Sequence, residues 1–215
     1  NQPIQSRNAH LTLVFNGEIY NHRQLRESLH QDGATISWRG HSDSETLVEC
    51  LSFWGVEKTL QTVVGMFAFA LWDSQTEELT LARDRLGEKP LYYGWVDNAF
   101  VFASELKAFR NLPGWNGKID RSALASYLTY SYVPAPQTIF VGIKKLVQGT
   151  YLVIPGDKSL QRNLMAETYW SLAENTPQNA AEMSDFEFLD QVENRLEKAV
   201  ARQMLSDVPI GAFLS

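Results

Sequence analysis

Three consecutive residues, Asn16, Gly17 and Glu18, follow an apolar run and carry the groups that a carbonyl-binding site needs. The Asn16 side chain offers an NH2 donor, and Gly17 lets its backbone N–H approach a ligand without a Cβ in the way. Glu18 adds a carboxylate that can hold an ammonium group. Two donors beside one acceptor suit a substrate carbonyl that becomes an oxyanion. Asn-Gly is also the commonest two-residue hairpin turn, and that interpretation stays open here.

Asp43 is a further candidate, and it lies in the stretch Ser42-Asp43-Ser44-Glu45. This stretch has the S-x-x-E spacing of a capping box, so it predicts the start of a helix. An acid in the first turn is favoured by the helix dipole, yet the same carboxylate could bind the ammonium group of a ligand. If the second interpretation is right, Asp43 should lie in one concave site with residues 16–18.

The other nucleophiles and metal-ligand types give weaker signals. Cys50 is the only cysteine, and it lies in mid-helix on the apolar stripe of Leu47 and Leu51. A catalytic thiolate needs a helix N-terminus or a cationic neighbour, so we expect Cys50 to be a packing residue. The four histidines show no metal-site spacing, and we predict no metal site.

The composition excludes several classes of function. The chain has 215 residues, of which 44% are hydrophobic and 20% are charged, as in globular proteins. A net charge of −6 with scattered basic residues argues against nucleic-acid binding. No apolar run approaches the roughly 20 residues that cross a bilayer, and no leader opens the chain. We therefore expect no membrane association and a cytoplasmic location, to which a single cysteine is suited.

The elements that must position the candidate residues alternate in type along the chain. Residues 11–15 predict a strand, followed by a tight turn at Asn16-Gly17 and a helix capped by Asn21. The capping box predicts a helix that ends at Gly55, with a further helix after it. Residues 66–73 are apolar on both faces and predict a strand buried between two layers.

Short strand candidates dominate the middle of the chain and argue for antiparallel sheet. They are residues 79–82, 91–96, 100–103 and 150–154, with helices predicted at 104–109 and 120–130. Residues 167–183 are polar and irregular and predict a linker. A second capping box at 184–187 then predicts a long helix, and residues 208–214 predict a strand. This last pair suggests the first step of a second, α/β domain.

Five local stretches, in order and spacing, resemble the glutamine-hydrolysing asparagine synthetases of the asparagine synthetase B type. They are FNGEIYN at 15–21, SDSE at 42–45, GMFAFA at 65–70, RDRLGEKPLYY at 83–93 and FASELK at 102–107. Residues 138–146 resemble the segment before the linker of that family. DVPIGAFLS at 207–215 resembles the lead-in to the family's SGGxDS pyrophosphate loop, cut after its first Ser.

The resemblance implies an α+β fold in three parts. Residues 1–166 would form a class II glutamine amidotransferase domain, an incomplete N-terminal-nucleophile hydrolase αββα sandwich. A linker would follow at 167–183, and 184–215 would begin an α/β ATP-pyrophosphatase domain. In the family, an N-terminal Cys attacks the glutamine amide and releases ammonia. Asn16 and Gly17 match its oxyanion-hole pair, and Glu18 and Asp43 match residues that hold glutamine. Leu214 and Ser215 match the edge of the ATP loop.

The implied substrates of the full-length parent are glutamine, aspartate and ATP with Mg2+, and a homodimer is a further expectation. The ammonia would pass to an aspartyl-adenylate and give asparagine, AMP and pyrophosphate. This chain departs from the family because it lacks the N-terminal Cys, the R-H-R-G-P-D segment and the rest of the ATP loop. We therefore expect a fragment cut at both ends that is inactive by itself. Two alternatives stay open: the same mechanism on a sugar or polysaccharide precursor, and a non-catalytic glutamine-binding module.

Overall fold

The described part of the chain contains nine strands and five helices. The structure is a computed structural model, and it describes residues 2–156, 164–175, 183–204, 209 and 211. The strands are β1 (Ile4–Gln5), β2 (Leu11–Ile19), β3 (Gly65–Asp73), β4 (Glu78–Arg83), β5 (Tyr92–Val96), β6 (Ala99–Ala103), β7 (Ile143–Lys145), β8 (Thr150–Pro155) and β9 (Glu167–Thr168). The helices are α1 (His22–Gln31), α2 (Asp43–Thr62), a 3-10 helix (Leu106–Asn111), α3 (Arg121–Tyr130) and α4 (Asp185–Gln203).

The strands form two sheets in which every described pairing is antiparallel, as the sequence predicts. The first sheet has the order β1-β2-β3-β4-β8-β9, and the second has the order β6-β5-β7. Strand β2 pairs with β3 over its whole length, from Leu11↔Asp73 to Ile19↔Gly65. The candidate residues 16–18 therefore lie near one end of a long, firmly paired strand.

The hydrophobic core lies in layers on either side of these sheets. One cluster joins α1 and α2 to the first sheet, where β3 contributes Phe67 and Phe69. A second cluster lies between the sheets and contains Ala68 and Ala70 of the same strand. Strand β3 is thus buried on both faces, which confirms the prediction from its apolar sequence. A third cluster packs Phe109 of the 3-10 helix against the far side of the second sheet.

The predicted turn at Asn16-Gly17 is wrong, because β2 continues without a break to Ile19. Gly17 lies opposite Phe67, and a Cβ built on Gly17 would lie 2.1 Å from the carbonyl oxygen of Met66. The glycine therefore serves the close approach of two strands and not a change of direction. A local turn signal cannot detect a strand that comes from about fifty residues further along the chain.

Two predicted helix signals also act differently in the structure. Asn21 makes no side-chain cap bond to α1. Its Oδ1 instead accepts from the Val64 N–H at 2.9 Å, and its Nδ2 donates to the Thr62 carbonyl at 3.1 Å. Gly55 adopts φ 79° and ψ 177° inside α2, so the two predicted helices meet at a kink there. The helix predicted at 104–109 is the 3-10 helix.

The predicted linker is wrong at its first residues. Strand β9 pairs with β8, with Thr168 opposite Thr150. The Tyr169 hydroxyl donates to the Arg83 carbonyl at 2.9 Å, and the Trp170 N–H donates to the Gly149 carbonyl at 3.2 Å. Residues 167–170 thus complete the first sheet, since their backbone and aromatic side chains find partners in it.

Helix α4 confirms the long helix predicted after the second capping box. The Ser184 side chain accepts from the Glu187 N–H, and the Glu187 carboxylate accepts from the Ser184 N–H at 3.0 Å. Of the strand predicted at 208–214, only residues 209 and 211 are described, so that prediction stays untested. The ATP-loop assignment of Leu214 and Ser215 lies outside the described residues. None of the helices in the described part of the chain is long and apolar enough to cross a membrane.

Candidate active site

A cleft of about 650 Å3 lies where the end of β2 meets α1 and α2. Its walls come from these three elements, the segment before α2 and the start of β3. The lining residues are Gly17, Glu18, Ile19, His22, Arg23, Arg26, His41, Ser42, Asp43 and Met66. Three of the four residues predicted for the glutamine site, Gly17, Glu18 and Asp43, therefore share one concave surface.

Asn16, the fourth predicted site residue, does not line this cleft. Its Nδ2 donates to the Ser104 Oγ at 3.0 Å, and it borders a smaller pocket of about 190 Å3 beside the second sheet. Successive side chains of a strand point to opposite faces, so the Asn16 side chain and its neighbour Phe15 diverge. Because an amide NH2 has two hydrogens, the bond to Ser104 leaves one N–H of Asn16 for a ligand.

Asp43 connects the start of α2 to the end of β2. Its Oδ2 accepts from the Ile19 N–H at 2.9 Å, and its Oδ1 accepts from the Ser44 N–H at 2.6 Å. The helix cap is instead Ser42, whose Oγ accepts from the Glu45 N–H at 3.2 Å. Each Asp43 oxygen keeps further acceptor capacity, so the carboxylate can bind a ligand while it holds β2.

The backbone N–H of Gly17 points away from β3. Asp84 binds both backbone groups of Phe67, because the Phe67 N–H donates to Asp84 Oδ2 at 3.2 Å and the Phe67 carbonyl accepts from the Asp84 N–H at 2.8 Å. The two backbone groups of a strand residue point to the same side, so the pair Gly17↔Phe67 is not hydrogen-bonded. The Gly17 N–H therefore lies on the edge of β2 that borders the cleft.

The N–H groups on either side of Gly17 along this edge are already occupied by side chains. The Phe15 N–H donates to Gln2 Oε1 at 2.7 Å, and the Ile19 N–H donates to Asp43 Oδ2 at 2.9 Å. The Gly17 N–H lies between these two satisfied donors. Sequence reasoning missed Gln2, since an exposed amide side chain carries no spacing signal that singles it out.

On the other side of the cleft, the side chain of Arg26 holds the segment before α2 in place. The Arg26 guanidinium donates to the Gly40 and Ser42 carbonyls at 2.9 and 3.0 Å, and lies 4.0 Å over the Trp38 ring. It also lies 3.7 Å from the buried Glu45 carboxylate. These contacts fix the segment that precedes Asp43. The sequence gives no signal for Arg26, because its partners become neighbours only in the fold.

The Glu45 carboxylate is held in its charged form by donors. Burial by itself raises its pKa, but the Arg39 and Gly40 N–H groups at 2.6 and 2.9 Å and the nearby guanidinium groups lower the pKa overall. Glu45 therefore does not complete the predicted capping box by binding the Ser42 N–H. It ties the loop before α2 to the helix.

Burial raises the pKa of two further side chains, those of Cys50 and Tyr20. Cys50 is fully buried, and burial raises the pKa of its thiol to about 12, so it is a packing residue as predicted. Tyr20, directly after β2, has its pKa raised to about 12 by burial and by the carboxylates of Glu88, Glu18 and Asp84. In the described ranges, no three His, Cys, Asp or Glu side chains are grouped to hold a metal ion.

Comparison with known proteins identifies the family of this fold and site. The family described as the glutamine amidotransferase domain matches residues 1–170, which is where the first sheet ends in the structure. A Mycobacterium tuberculosis protein (strain H37Rv), provisionally named as a glutamine-hydrolysing asparagine synthetase, is 38% identical over 94% of this chain and 31% of its own length. Asparagine synthetase 1 (glutamine-hydrolysing) of Bacillus subtilis is 33% identical over 100% of this chain and 32% of its own length.

A solved structure shows the same fold. It is the glutamine phosphoribosylpyrophosphate amidotransferase of B. subtilis, with a TM-score of 0.51 and 24% identity over 79% of this chain and 32% of its own. The fold is that of the N-terminal-nucleophile hydrolase glutamine amidotransferases, as the sequence analysis expected. The chain spans about a third of the length of the curated relatives it matches.

Proposed function

Because the chain belongs to the glutamine amidotransferase domain family, we propose that it forms the glutamine site of an enzyme that hydrolyses glutamine to glutamate and ammonia. The observation that carries this proposal is the position of the Gly17 N–H. It lies on the strand edge beside the cleft, between two N–H groups occupied by Gln2 and Asp43. A fixed donor of this kind stabilises an oxyanion without reorganisation during the reaction.

The remaining groups of the cleft suit the other end of glutamine. Glu18 and Asp43 supply carboxylates in the same cavity as Gly17, and either can accept from the ammonium group of the substrate. Although the Asn16 side chain borders the neighbouring pocket, we keep Asn16 as the second oxyanion donor, because it directly precedes Gly17 and Ser104 leaves one of its N–H groups available. In this proposal an N-terminal Cys of the parent protein attacks the amide carbon, and ammonia leaves as the acyl-enzyme forms.

We further infer that the parent protein uses the ammonia to make asparagine. The names of the relatives at 38% and 33% identity support this acceptor. ATP with Mg2+ would activate aspartate as the adenylate in the part of the parent that follows α4, and Leu214 and Ser215 remain the predicted edge of that nucleotide site. Incubation of the full-length parent with glutamine, aspartate and ATP should give asparagine, AMP and pyrophosphate, detectable by mass spectrometry. Glutamine hydrolysis with no asparagine formed would rule out aspartate as the acceptor.

Steady-state glutamine hydrolysis by the full-length parent tests the amidotransferase site itself. Asn16→Ala should lower kcat by about 10² to 10³, as the loss of an oxyanion donor does. The matched control is Asn98→Ala, since Asn98 is exposed in the β5–β6 hairpin and should leave kcat unchanged. A wild-type parent without glutaminase activity would refute the proposed function. A fully active Asn16→Ala enzyme would remove Asn16 from the oxyanion role.

A further inference from the structure

Asp84 is a buried carboxylate outside the cleft that accepts four backbone hydrogen bonds. The residue is 1% exposed. Oδ1 accepts from the N–H groups of Leu86 and Glu88 at 3.1 and 3.0 Å, and Oδ2 accepts from those of Lys89 and Phe67 at 2.9 and 3.2 Å. A buried charge is costly unless it is fully hydrogen-bonded, and here both oxygens are saturated by fixed donors.

Phe67 is the partner that connects Asp84 to the candidate site. The backbone pairing of β3 with β4 ends at Ala68↔Arg83. One residue further on, the Asp84 N–H and carboxylate bind the Phe67 carbonyl and N–H, respectively. The side chain thus extends the ladder past the end of β4 and holds β3 in place at Phe67.

Gly17 lies against the opposite side of the same short piece of β3. A Cβ on Gly17 would lie 2.7 Å from the Phe67 Cα and 2.1 Å from the Met66 carbonyl oxygen, so there is no room for even a methyl group between Gly17 and this piece of β3. Any displacement of residues 66–67 must therefore move Gly17 as well, because no side chain lies between them to absorb it.

We propose that Asp84 is a positioning residue for the Gly17 N–H in glutamine hydrolysis, a role that rests on the proposed function. Asp84 does not touch the substrate. It fixes β3 at Phe67, and through that contact it fixes the place of the N–H that meets the oxyanion. An oxyanion exists only after attack on the amide, so a misplaced donor lowers kcat and leaves the KM for glutamine nearly unchanged.

The test measures kcat and KM for glutamine in the full-length parent carrying Asp84→Asn. The asparagine side chain keeps one acceptor oxygen, but its NH2 group replaces the other and cannot accept from a backbone N–H. About half of the four hydrogen bonds are therefore lost. We expect kcat to fall on the order of tenfold, a fraction of the loss caused by removing a donor, with KM within about twofold. Asp84→Glu, which keeps the charge but moves it by one methylene, is a second variant in case the first does not fold.

Thr138→Val is the matched control. Thr138 is also buried, and its hydroxyl donates to the Ile143 carbonyl at 2.8 Å and accepts from the Phe140 N–H at 3.2 Å, on the side of the second sheet. This variant should lower the melting temperature and keep kcat. An unchanged kcat in a folded Asp84 variant, a rise in KM alone, or an equal loss of kcat in Thr138→Val would each overturn the positioning role. A wild-type parent without glutaminase activity would instead refute the proposed function.

Discussion

Gly17→Ala is the substitution that tests the close approach of β2 and β3 most directly. The added Cβ would lie 2.1 Å from the Met66 carbonyl oxygen, whereas carbon and oxygen ordinarily approach to about 3.3 Å. The two strands must therefore separate locally by roughly 1 Å. This movement would stretch the hydrogen bonds between the neighbouring pairs Asn16↔Ala68 and Glu18↔Met66.

The size of the effect follows from comparison with a second glycine. Gly33 has φ +91°, and a Cβ there would meet nothing within 4 Å, so Gly33→Ala introduces backbone strain of about 1 to 2 kcal/mol without a clash. Gly17 has φ +156°, so Gly17→Ala also introduces backbone strain, and to this it adds an overpacking cost of about 1 to 3 kcal/mol. For a chain of this size, the extra cost lowers the Tm by roughly 2 to 12 °C below that of Gly33→Ala.

Thermal unfolding of the 215-residue chain, followed by circular dichroism, measures this difference. Wild type, Gly33→Ala and Gly17→Ala should melt in descending order of Tm. If Gly17→Ala melts within about 1 °C of Gly33→Ala, the strands are not in close contact at Gly17. The mechanical link from Phe67 to Gly17, on which the positioning role of Asp84 depends, would then lose its basis.

The remaining predictions concern three carboxylates. In the full-length parent, Asp43→Asn should raise the KM for glutamine about tenfold with kcat within about twofold, because the contact is made in ground and transition states alike; a fall in kcat alone would contradict this. Burial raises the pKa of the Glu49 carboxyl group. The contribution of this group to the free energy of unfolding is therefore lost as pH rises through its pKa in the folded state. Glu49→Gln should consequently gain stability relative to wild type between about pH 4 and pH 7, measured by urea unfolding. The pKa of Glu45 is lowered, so its contribution is lost as pH falls, and Glu45→Gln should cost more stability at about pH 7 than at pH 3; parallel pH profiles would refute both assignments.

The sequence by itself determined features that depend on near neighbours or on a side-chain pattern. The Ser184 capping box forms as predicted because both of its hydrogen bonds join residues three apart. Strand β3 is buried on both faces because its side chains are apolar in both alternating positions. The motif order also led to the correct family, since five stretches in register do not depend on knowing the fold.

Only the tertiary structure decided how the candidate site is assembled. The local signal for a turn at Gly17 is outweighed by pairing with Phe67, and Asn21 binds Val64, the residue before β3, and does not cap its own helix. Asp84 lies 17 residues from Phe67, and no spacing rule joins a carboxylate to a backbone N–H at that distance in sequence. Every residue except proline has a backbone N–H, so a hydrogen bond from that group does not restrict the type of the donor residue. The sequence therefore does not show which residue is the partner. The direction of the Gly17 N–H, and with it the proposed oxyanion donor, follows only from the register of two strands.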